Sequence, residues 1–554
     1  MKEFNFPVRY CVIILSTLVL SFSTPCLYAQ EPVFQYFYRI YLKDKGTNIN
    51  SKYSASDLLS SRAVNRRQKA GIQAPDFRDL PVYKSYLDQI SYLGLKLHTT
   101  SKWMNTALFK SQSAFDIKIL LDLPFVSDVK TVKTTGSKSK FNDKLNFIVE
   151  QADIPSYDRP VSMVNGQPML DSGYDGRNVL IAILDGGFRN ADNISSLSGL
   201  RLRKGIKKTY DFVNKTESVY NSSSHGTAVL SVIAGNLPGQ IEGTAPGADF
   251  LLLKTEDVNS EFPCEEDYWV AGAEFADSSG ADIISSSLGY FNFDDPALNY
   301  KYSDLDGKTA FITIAAEFAA SKGILVVNSA GNERTLEWKR IIFPSDGDSV
   351  LAVGAVDGNN IISDFSSAGP SADGRIKPDN VAMGVSVPVQ TSENSIGRAS
   401  GTSFSCPVLS GMAACLLQAV PEALNSDIIN ALHSSADRYN YPDSLYGYGI
   451  PNIVLVLARL QNKYIRIPDN RSIVSPNPTT GDIEIIFSSP AQKVTVEIIS
   501  ITGKLIFRRD FADYAGRTII LTELRNREQG VYLLRVIYDG KTDVHKIIKL
   551  TYKS

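Results

Sequence analysis

Ser403 stands in Ala399-Ser-Gly-Thr-Ser-Phe-Ser-Cys-Pro407, after a Gly-Thr turn and before an apolar run, Val408 to Val420, that reads as a helix. Pro407 suits the first turn of such a helix, where its missing N–H leaves no bond unmade. A hydroxyl at that junction lies beside unpaired backbone N–H groups and the positive end of the helix dipole, so an oxyanion formed there is stabilised. Taken alone, the stretch fits a nucleophile and an ordinary serine N-cap equally well.

Three other residues separate those readings. His225 opens the helical run Ser224-His-Gly-Thr-Ala-Val-Leu-Ser-Val-Ile-Ala-Gly235, while the other histidines, His98, His433 and His545, lie in nondescript surroundings. Asp185 ends the apolar stretch Asn178-Val-Leu-Ile-Ala-Ile-Leu-Asp185. Serine is a weak nucleophile until a base takes its proton, and that base needs a third group to fix its tautomer and balance its charge. Ser403, His225 and Asp185 supply the three roles. Asn332, in Ser329-Ala-Gly-Asn-Glu333, follows another apolar strand and can offer its amide to an oxyanion beside the N–H of Ser403.

The elements that must position these residues alternate. Apolar runs buried on both faces recur at Asn178–Asp185, Phe250–Lys254, Ala281–Ser287, Ile324–Ser329 and Val350–Ala355. Helical patterns fall between them at Thr227–Ala234, Tyr268–Ser278 and Ala310–Ser321. This alternation predicts a doubly wound α/β domain, whose sites form at the carboxyl ends of the strands, where Asp185 and Asn332 lie.

The flanks differ. Lys2 and Arg9 precede an apolar run, Cys11 to Phe22, which ends at Leu27-Tyr-Ala29 and reads as a signal peptide over residues 1–29. The run falls short of the ~20 residues a membrane span needs. Residues 30–150 read as a small α+β unit with strands near Phe34–Leu42 and Phe125–Val132 and helices at Ser56–Lys69 and Ser85–Leu93. Within it, Arg62, Arg66, Arg67 and Lys69 read as a solvated basic face. Gln151 to Ser172, rich in Pro, Gly, Ser and Asp, reads as a loop or linker inside a 151–175 connection. The α/β domain is expected over 176–460. From 470 to 554 short alternating strands at Ile483–Phe487, Lys493–Ile499, Gly503–Asp510, Gly530–Tyr538 and His545–Thr551 predict an all-β sandwich.

Composition closes off several classes. Of 554 residues 43% are apolar and 21% charged, and the net charge of −2 gives no bulk field to recruit nucleic acid or anionic lipid. Cys264, Cys406 and Cys415, the thiols outside the leader, cannot make a disulfide framework, match no metal-ligand spacing and read as buried structural thiols.

The order Asp185…His225…Ser403, with the blocks Ala182-Ile-Leu-Asp-Gly-Gly187, His225-Gly-Thr227, Ser329-Ala-Gly-Asn-Glu333 and Gly401-Thr-Ser-Phe-Ser-Cys-Pro407, resembles the subtilisin family of serine proteases over roughly 175–460. The resemblance implies a subtilisin-like doubly wound parallel sheet preceded by an α+β propeptide and followed by the sandwich. It implies a secreted serine endopeptidase acting through an acyl-enzyme on protein or peptide substrates. Ser287, Leu288 and Gly289 would be the segment that pairs with an extended substrate, with Gly331 lining the site beside Asn332. Two positions depart from the family pattern: Gly186 replaces a hydroxyl residue after the aspartate, and Phe404 replaces Ala or Met after the serine. No metal ligand set reads from the sequence; Asp304-Leu-Asp306-Gly307 is too short to assign calcium, and the resemblance leaves a structural calcium ion open.

The same resemblance implies that residues 30–150, whose position, size and texture suit it, are a propeptide acting as intramolecular inhibitor and folding aid. The C-terminal module resembles the sorting domain of the type IX secretion system of Bacteroidetes-like bacteria in Ser475-Pro-Asn-Pro-Thr-Thr-Gly481, Gly503-Lys504, Gly530-Val-Tyr532 and Lys546-Ile-Ile-Lys549. This makes that secretion machinery the expected partner, with a secreted or surface location and no membrane span in the mature form. An esterase or amidase is disfavoured by the absence of a Gly-x-Ser-x-Gly elbow around Ser403. The remaining alternative is a catalytically silent surface adhesion or binding protein on the same scaffold.

Overall fold

The computed structural model describes residues 36–46, 53–134, 145, 147–149, 158–393, 395–464, 471–512 and 514–550. The signal-peptide stretch, residues 1–29, lies outside these.

At the centre, seven parallel strands run in the spatial order Asn380–Met383, Val350–Val356, Leu325–Ser329, Ile283–Ser286, Leu180–Asp185, Asp249–Lys254 and Ile206–Asp211. Successive side chains of a strand point to opposite faces, and both faces here are covered. Ile181 and Ile183 join a core with the helices His225–Ala234 and Thr402–Ala419, while Leu180, Ala182 and Leu184 join one with Cys264–Ser279 and Phe311–Ser321. That double burial is why these strands read as unbroken apolar runs. After Leu180–Asp185 the chain adds strands on one side of it and then, from Ile283–Ser286 onward, on the other. The reversal opens a crevice at the carboxyl ends, between Asp185 and Ser286.

The serine helix differs from its expected start. It begins at Thr402, capped by Gly401, so Ser403 lies in its first turn and Pro407 lies inside the helix. Proline has no N–H to give to the carbonyl four residues back, that of Ser403. Ser287 replaces it, its Oγ donating to the Ser403 carbonyl at 2.9 Å. This helix is long and apolar enough to cross a membrane, but it is largely buried in the core. Cys264, Cys406 and Cys415 are buried free thiols.

The expected linker also changes. Residues 151–157 lie outside the described part, and beyond them the chain forms single-turn helices at Arg159–Met163 and Gln167–Asp171, each with proline in its first turn. Pro160 and Pro168 start helices here, where proline is tolerated, instead of breaking them.

The N-terminal unit is a four-stranded antiparallel sheet, ordered Lys96–Ser101, Thr106–Ser111, Tyr36–Leu42 and Val126–Lys133. Tyr38, Ile40 and Leu42 face the unit's own core, whereas Phe37 and Arg39, on the other face, meet the helix Cys264–Ser279 and its surroundings. The expected helix Ser56–Lys69 is split: Ser60 caps a second helix, Ser61–Lys69, its side chain accepting from the Ala63 N–H at 3.3 Å.

The solvated reading of the basic cluster fails for two of its members. Arg66 and Arg67 are buried and ion-paired to Asp277, and Arg67 also to Asp79. A buried guanidinium is tolerated only when so paired, and the partner lies 210 residues away, out of reach of local pattern. Along the same interface Arg39 forks onto Asp267 (3.0 and 2.7 Å) and reaches Glu266 (3.2 Å), while Glu274 accepts from Ser101 Oγ (2.6 Å) and the Trp103 N–H (2.9 Å).

The C-terminal unit packs a three-stranded sheet (Ser472–Ser475, Ile483–Ala491, Gly516–Leu521) on a four-stranded one (Leu505–Phe511, Val494–Ser500, Gly530–Tyr538, Lys541–Lys549). Ile485 and Phe487 of the first and Val496 and Leu534 of the second share one core. Ser472–Ser475 and Gly516–Leu521 are additional to the expected strands, one running into a turn cluster and the other opening on glycine.

Candidate active site

Asp185 ends the strand Leu180–Asp185 and is fully buried. The loop that follows returns so that the Gly226 N–H donates to the Gly187 carbonyl (3.0 Å), which sets the first turn of the His225–Ala234 helix over the strand end. His225 Nδ1 lies 2.9 Å from each Asp185 carboxylate oxygen. An ionised carboxylate only accepts, so this contact puts the proton on Nδ1 and leaves Nε2 with its lone pair. Burial pushes the Asp185 carboxyl above its ordinary range, and the imidazole and the Gly186 N–H (2.7 Å) oppose that shift. The charge is therefore held by its partners and not by solvent.

Ser403 approaches from the serine helix, and the ring of its neighbour Phe404 lies 6.0 Å from the imidazole. The Ser403 hydroxyl is 3.5 Å from the Ser287 carbonyl. Asn332 Oδ1 accepts from the Thr402 N–H (2.9 Å) and Thr402 Oγ1 (3.0 Å), which turns the amide nitrogen toward Gly401 at the start of the serine helix. Thr402 Oγ1 also accepts from the Gly331 N–H at 3.2 Å. Gly331 holds φ of 106°, and a Cβ there would lie 2.8 Å from Ser367 Oγ, so only glycine fits. Ser287, Leu288 and Gly289 continue from the strand Ile283–Ser286. The Leu288 carbonyl accepts from Asn328 Nδ2 at 3.0 Å, and Tyr290 exchanges backbone bonds with Phe343 (3.0 and 3.2 Å). Asp185 is thus bonded to His225, while Ser287, Gly331, Asn332, Thr402 and Ser403 are linked at the start of the serine helix, whose Phe404 ring faces the imidazole.

Sequence reasoning assigned no role to Thr402, which fixes the orientation of Asn332, although it lies inside the stretch read for Ser403. It also missed Glu256, buried beneath the crevice with Tyr290 bonded to it, because nothing local marks that carboxylate. Asp304 and Asp306 are engaged by their own turns: Asp304 accepts from the Lys301 N–H (2.8 Å), and Asp306 accepts from the N–H groups of Lys308 (3.0 Å) and Thr309 (2.8 Å). Glu256, Glu261 and Glu265 bring carboxylate oxygens within 4.8 Å of one another, but Glu265 accepts from the N–H groups of Asp257 and Phe262 and so serves as a loop anchor.

Comparison with known proteins gives three consecutive family matches. Residues 37–146 match the peptidase S8 propeptide domain of Bacteroidota, 176–449 the subtilase family, and 474–550 a secretion-system C-terminal sorting domain. Subtilisin E of Bacillus subtilis (strain 168) is 31% identical over 369 residues, covering 66% of this chain and 84% of that relative. The subtilisin of Bacillus pumilus is 31% identical over 296 residues, covering 53% of this chain and 96% of its own. Among solved structures, fervidolysin from Fervidobacterium pennivorans aligns with a TM-score of 0.54 at 16% identity, over 94% of this chain and 77% of that one, which supports the shared fold. The sorting domain marks the chain for type IX export to the cell surface or beyond. By fold, family match and identity, this chain belongs to the subtilases and is a subtilisin-like serine endopeptidase built with an S8 propeptide and a C-terminal sorting domain.

Proposed function

We propose that Ser403 is the nucleophile, His225 the general base and acid, and Asp185 the group that orients and stabilises the imidazolium. Nε2 of His225 takes the Ser403 proton as the hydroxyl oxygen adds to a peptide carbonyl, then passes it to the leaving amine. The Asn332 amide and the Ser403 N–H hold the oxyanion, with Thr402 fixing the amide's direction. Substrates bind as extended peptides along Ser287–Gly289, so that backbone bonds give affinity with little sequence choice. The propeptide acts as intramolecular inhibitor and folding aid, and the type IX machinery exports the chain. The observation that carries the reading is the buried Asp185–His225 pair, which dictates the Nδ1 tautomer beside the start of the serine helix. A fluorophosphonate probe applied to the processed protein should label Ser403, and the Ser403→Ala variant should stay unlabelled. A folded, processed chain that takes no label would refute the mechanism and favour the silent binding protein.

A further inference from the structure

Ile341 and Phe343 join the core formed with the helices Cys264–Ser279 and Phe311–Ser321, while Ile342 between them packs in neither core of the catalytic domain. Its side chain lies instead between two segments that flank the nucleophile. A Cβ added to Gly289 would lie 2.2 Å from Ile342 Cδ1, and one added to Gly331 would lie 3.0 Å from Ile342 Cγ2 and 3.1 Å from its Cδ1. One isoleucine thus fills the gap that has Ser287–Gly289 on one side and Gly331–Asn332 on the other. Gly331 needs its positive φ, but Gly289 has none, so the closeness of Ile342 is what its missing side chain makes room for. The chain that carries Ile342 is fixed. Its N–H donates to the Ala330 carbonyl (3.1 Å), its carbonyl accepts from the Ser345 N–H (2.8 Å), and Trp338, stacked on Phe291 at 5.0 Å, donates from Nε1 to the Ile341 carbonyl (2.9 Å). Branching at Cβ restricts the side chain further, and it is only 8% exposed.

We propose that Ile342 closes the pocket for the residue whose carbonyl Ser403 attacks, and that this enzyme therefore cuts after small residues, glycine and alanine, and rejects aromatic and large aliphatic ones. The proposal rests on the serine-peptidase mechanism above. A substrate strand paired with Ser287–Gly289, with its reacting carbonyl oxygen at the Asn332 amide, lies across the gap between those two segments. The side chain of the residue that owns the carbonyl has that gap to enter. Two glycines facing each other would leave the gap deep enough for a ring, and the branched side chain of Ile342 takes that depth away. A hydrogen atom or a methyl group fits over it. An aromatic ring would have to displace a side chain whose backbone is bonded on both sides, and close-packed protein yields such room only at a cost. Discrimination of this kind comes from shape alone, so it holds whatever the flanking sequence of the substrate.

Two measurements on the processed enzyme test this. Peptides that differ only in Ala against Phe at the residue whose carbonyl is attacked should differ in kcat/KM by at least about tenfold in favour of Ala, and the cuts made in an unfolded protein substrate should fall after Gly and Ala. Ile342→Gly, which empties the gap, should raise kcat/KM for the Phe peptide at least about tenfold, and Ile342→Ala should raise it by less, while both variants take a fluorophosphonate label on Ser403 at the wild-type rate. Should Ile342→Gly fail to fold, Ile342→Ala and the wild-type cut sites decide the matter. A wild-type enzyme that labels at Ser403 yet cuts the Phe peptide as fast as the Ala peptide, or labelled variants that keep the wild-type order, overturns the proposal and leaves the peptidase mechanism standing. A folded, processed enzyme that takes no label and cuts neither peptide overturns both.

Discussion

Acidification should loosen the propeptide through one buried histidine, His98. Its ring, on the strand Lys96–Ser101, lies 5.8 Å from Phe37 and 5.1 Å from Tyr268 of the catalytic domain, and its Nε2 is buried with no hydrogen-bond partner among the described residues. Burial in that apolar interface pushes its pKa down from 6.5 to about 3; Lys110, Lys215 and Lys133 add to the shift, while the Phe212 backbone opposes it. Separation of the two parts exposes the ring and restores its ordinary value. The docked state thus holds fewer protons than the separated one, and docking strength is fully present above the ordinary value of 6.5 and falls as the pH drops through it toward about 3. At about pH 5 the deficit is about 1.5 pH units, or about 30-fold in affinity and about 2 kcal/mol. Glu266, Asp267 and Glu274 at the same interface are pushed the other way, up by burial, so they strengthen docking as the pH falls through their raised values. The informative quantity is therefore the difference between wild type and His98→Phe, which keeps a ring against Phe37 and Tyr268 and cannot titrate. Inhibition of the processed enzyme by its propeptide, titrated at about pH 7.5 and about pH 5, should show a wild-type ratio about 30-fold larger than that of His98→Phe. Equal ratios in the two proteins would refute the argument.

Loss of one oxyanion donor costs about 10²–10³ in turnover in subtilisin, and Asn332→Ala should match that with KM little changed; steady-state kinetics on a peptide substrate decide it. Thr402→Val removes the hydroxyl that orients Asn332 and should lower kcat about two- to tenfold at unchanged KM, the worth of one hydrogen bond. Asp277→Ala leaves the buried Arg66 without its carboxylate and Arg67 with Asp79 alone. Uncompensated buried charge costs about 3–5 kcal/mol, so propeptide inhibition should weaken at least about 100-fold while the processed enzyme keeps its kcat/KM.

The parts of this fold legible in the sequence are those whose cause is local. A strand covered on both faces has to be apolar along its length, so Leu180–Asp185 and Val350–Val356 announce themselves. Asp185, His225 and Asn332 stand at ends of such runs or at a helix start, where chain geometry alone exposes a side chain. Ser403 was legible as a residue but not in its setting. Pro407 reads as a helix beginning because helical proline costs a hydrogen bond, and nothing nearby reveals that Ser287, 116 residues away, makes up the bond. Leu145 and Phe147 carry no signal of their own, since their neighbours Gly186, Phe404 and His225 are distant in sequence.

The same limit explains the misread basic cluster, and it bears on how the two parts separate. The helix Cys264–Ser279 buries Trp269, Val270 and Ala273 in the catalytic core and turns Glu266, Asp267, Glu274 and Asp277 toward the propeptide. Acidic residues on a helix are ordinarily solvated, and these four face the propeptide instead while it is docked. Buried ion pairs contribute little net affinity against their desolvation, but they fix register and make a mismatched partner costly. An interface of this kind limits the apolar surface left open on separation, because the carboxylates regain water as readily as they gave it up. Apolar contact is supplied by a few residues, Phe37, Trp103, Leu108 and Val132, and those leave with the propeptide. The charged row is thus what allows one helix to be core to the enzyme and a temporary dock for the segment it must release.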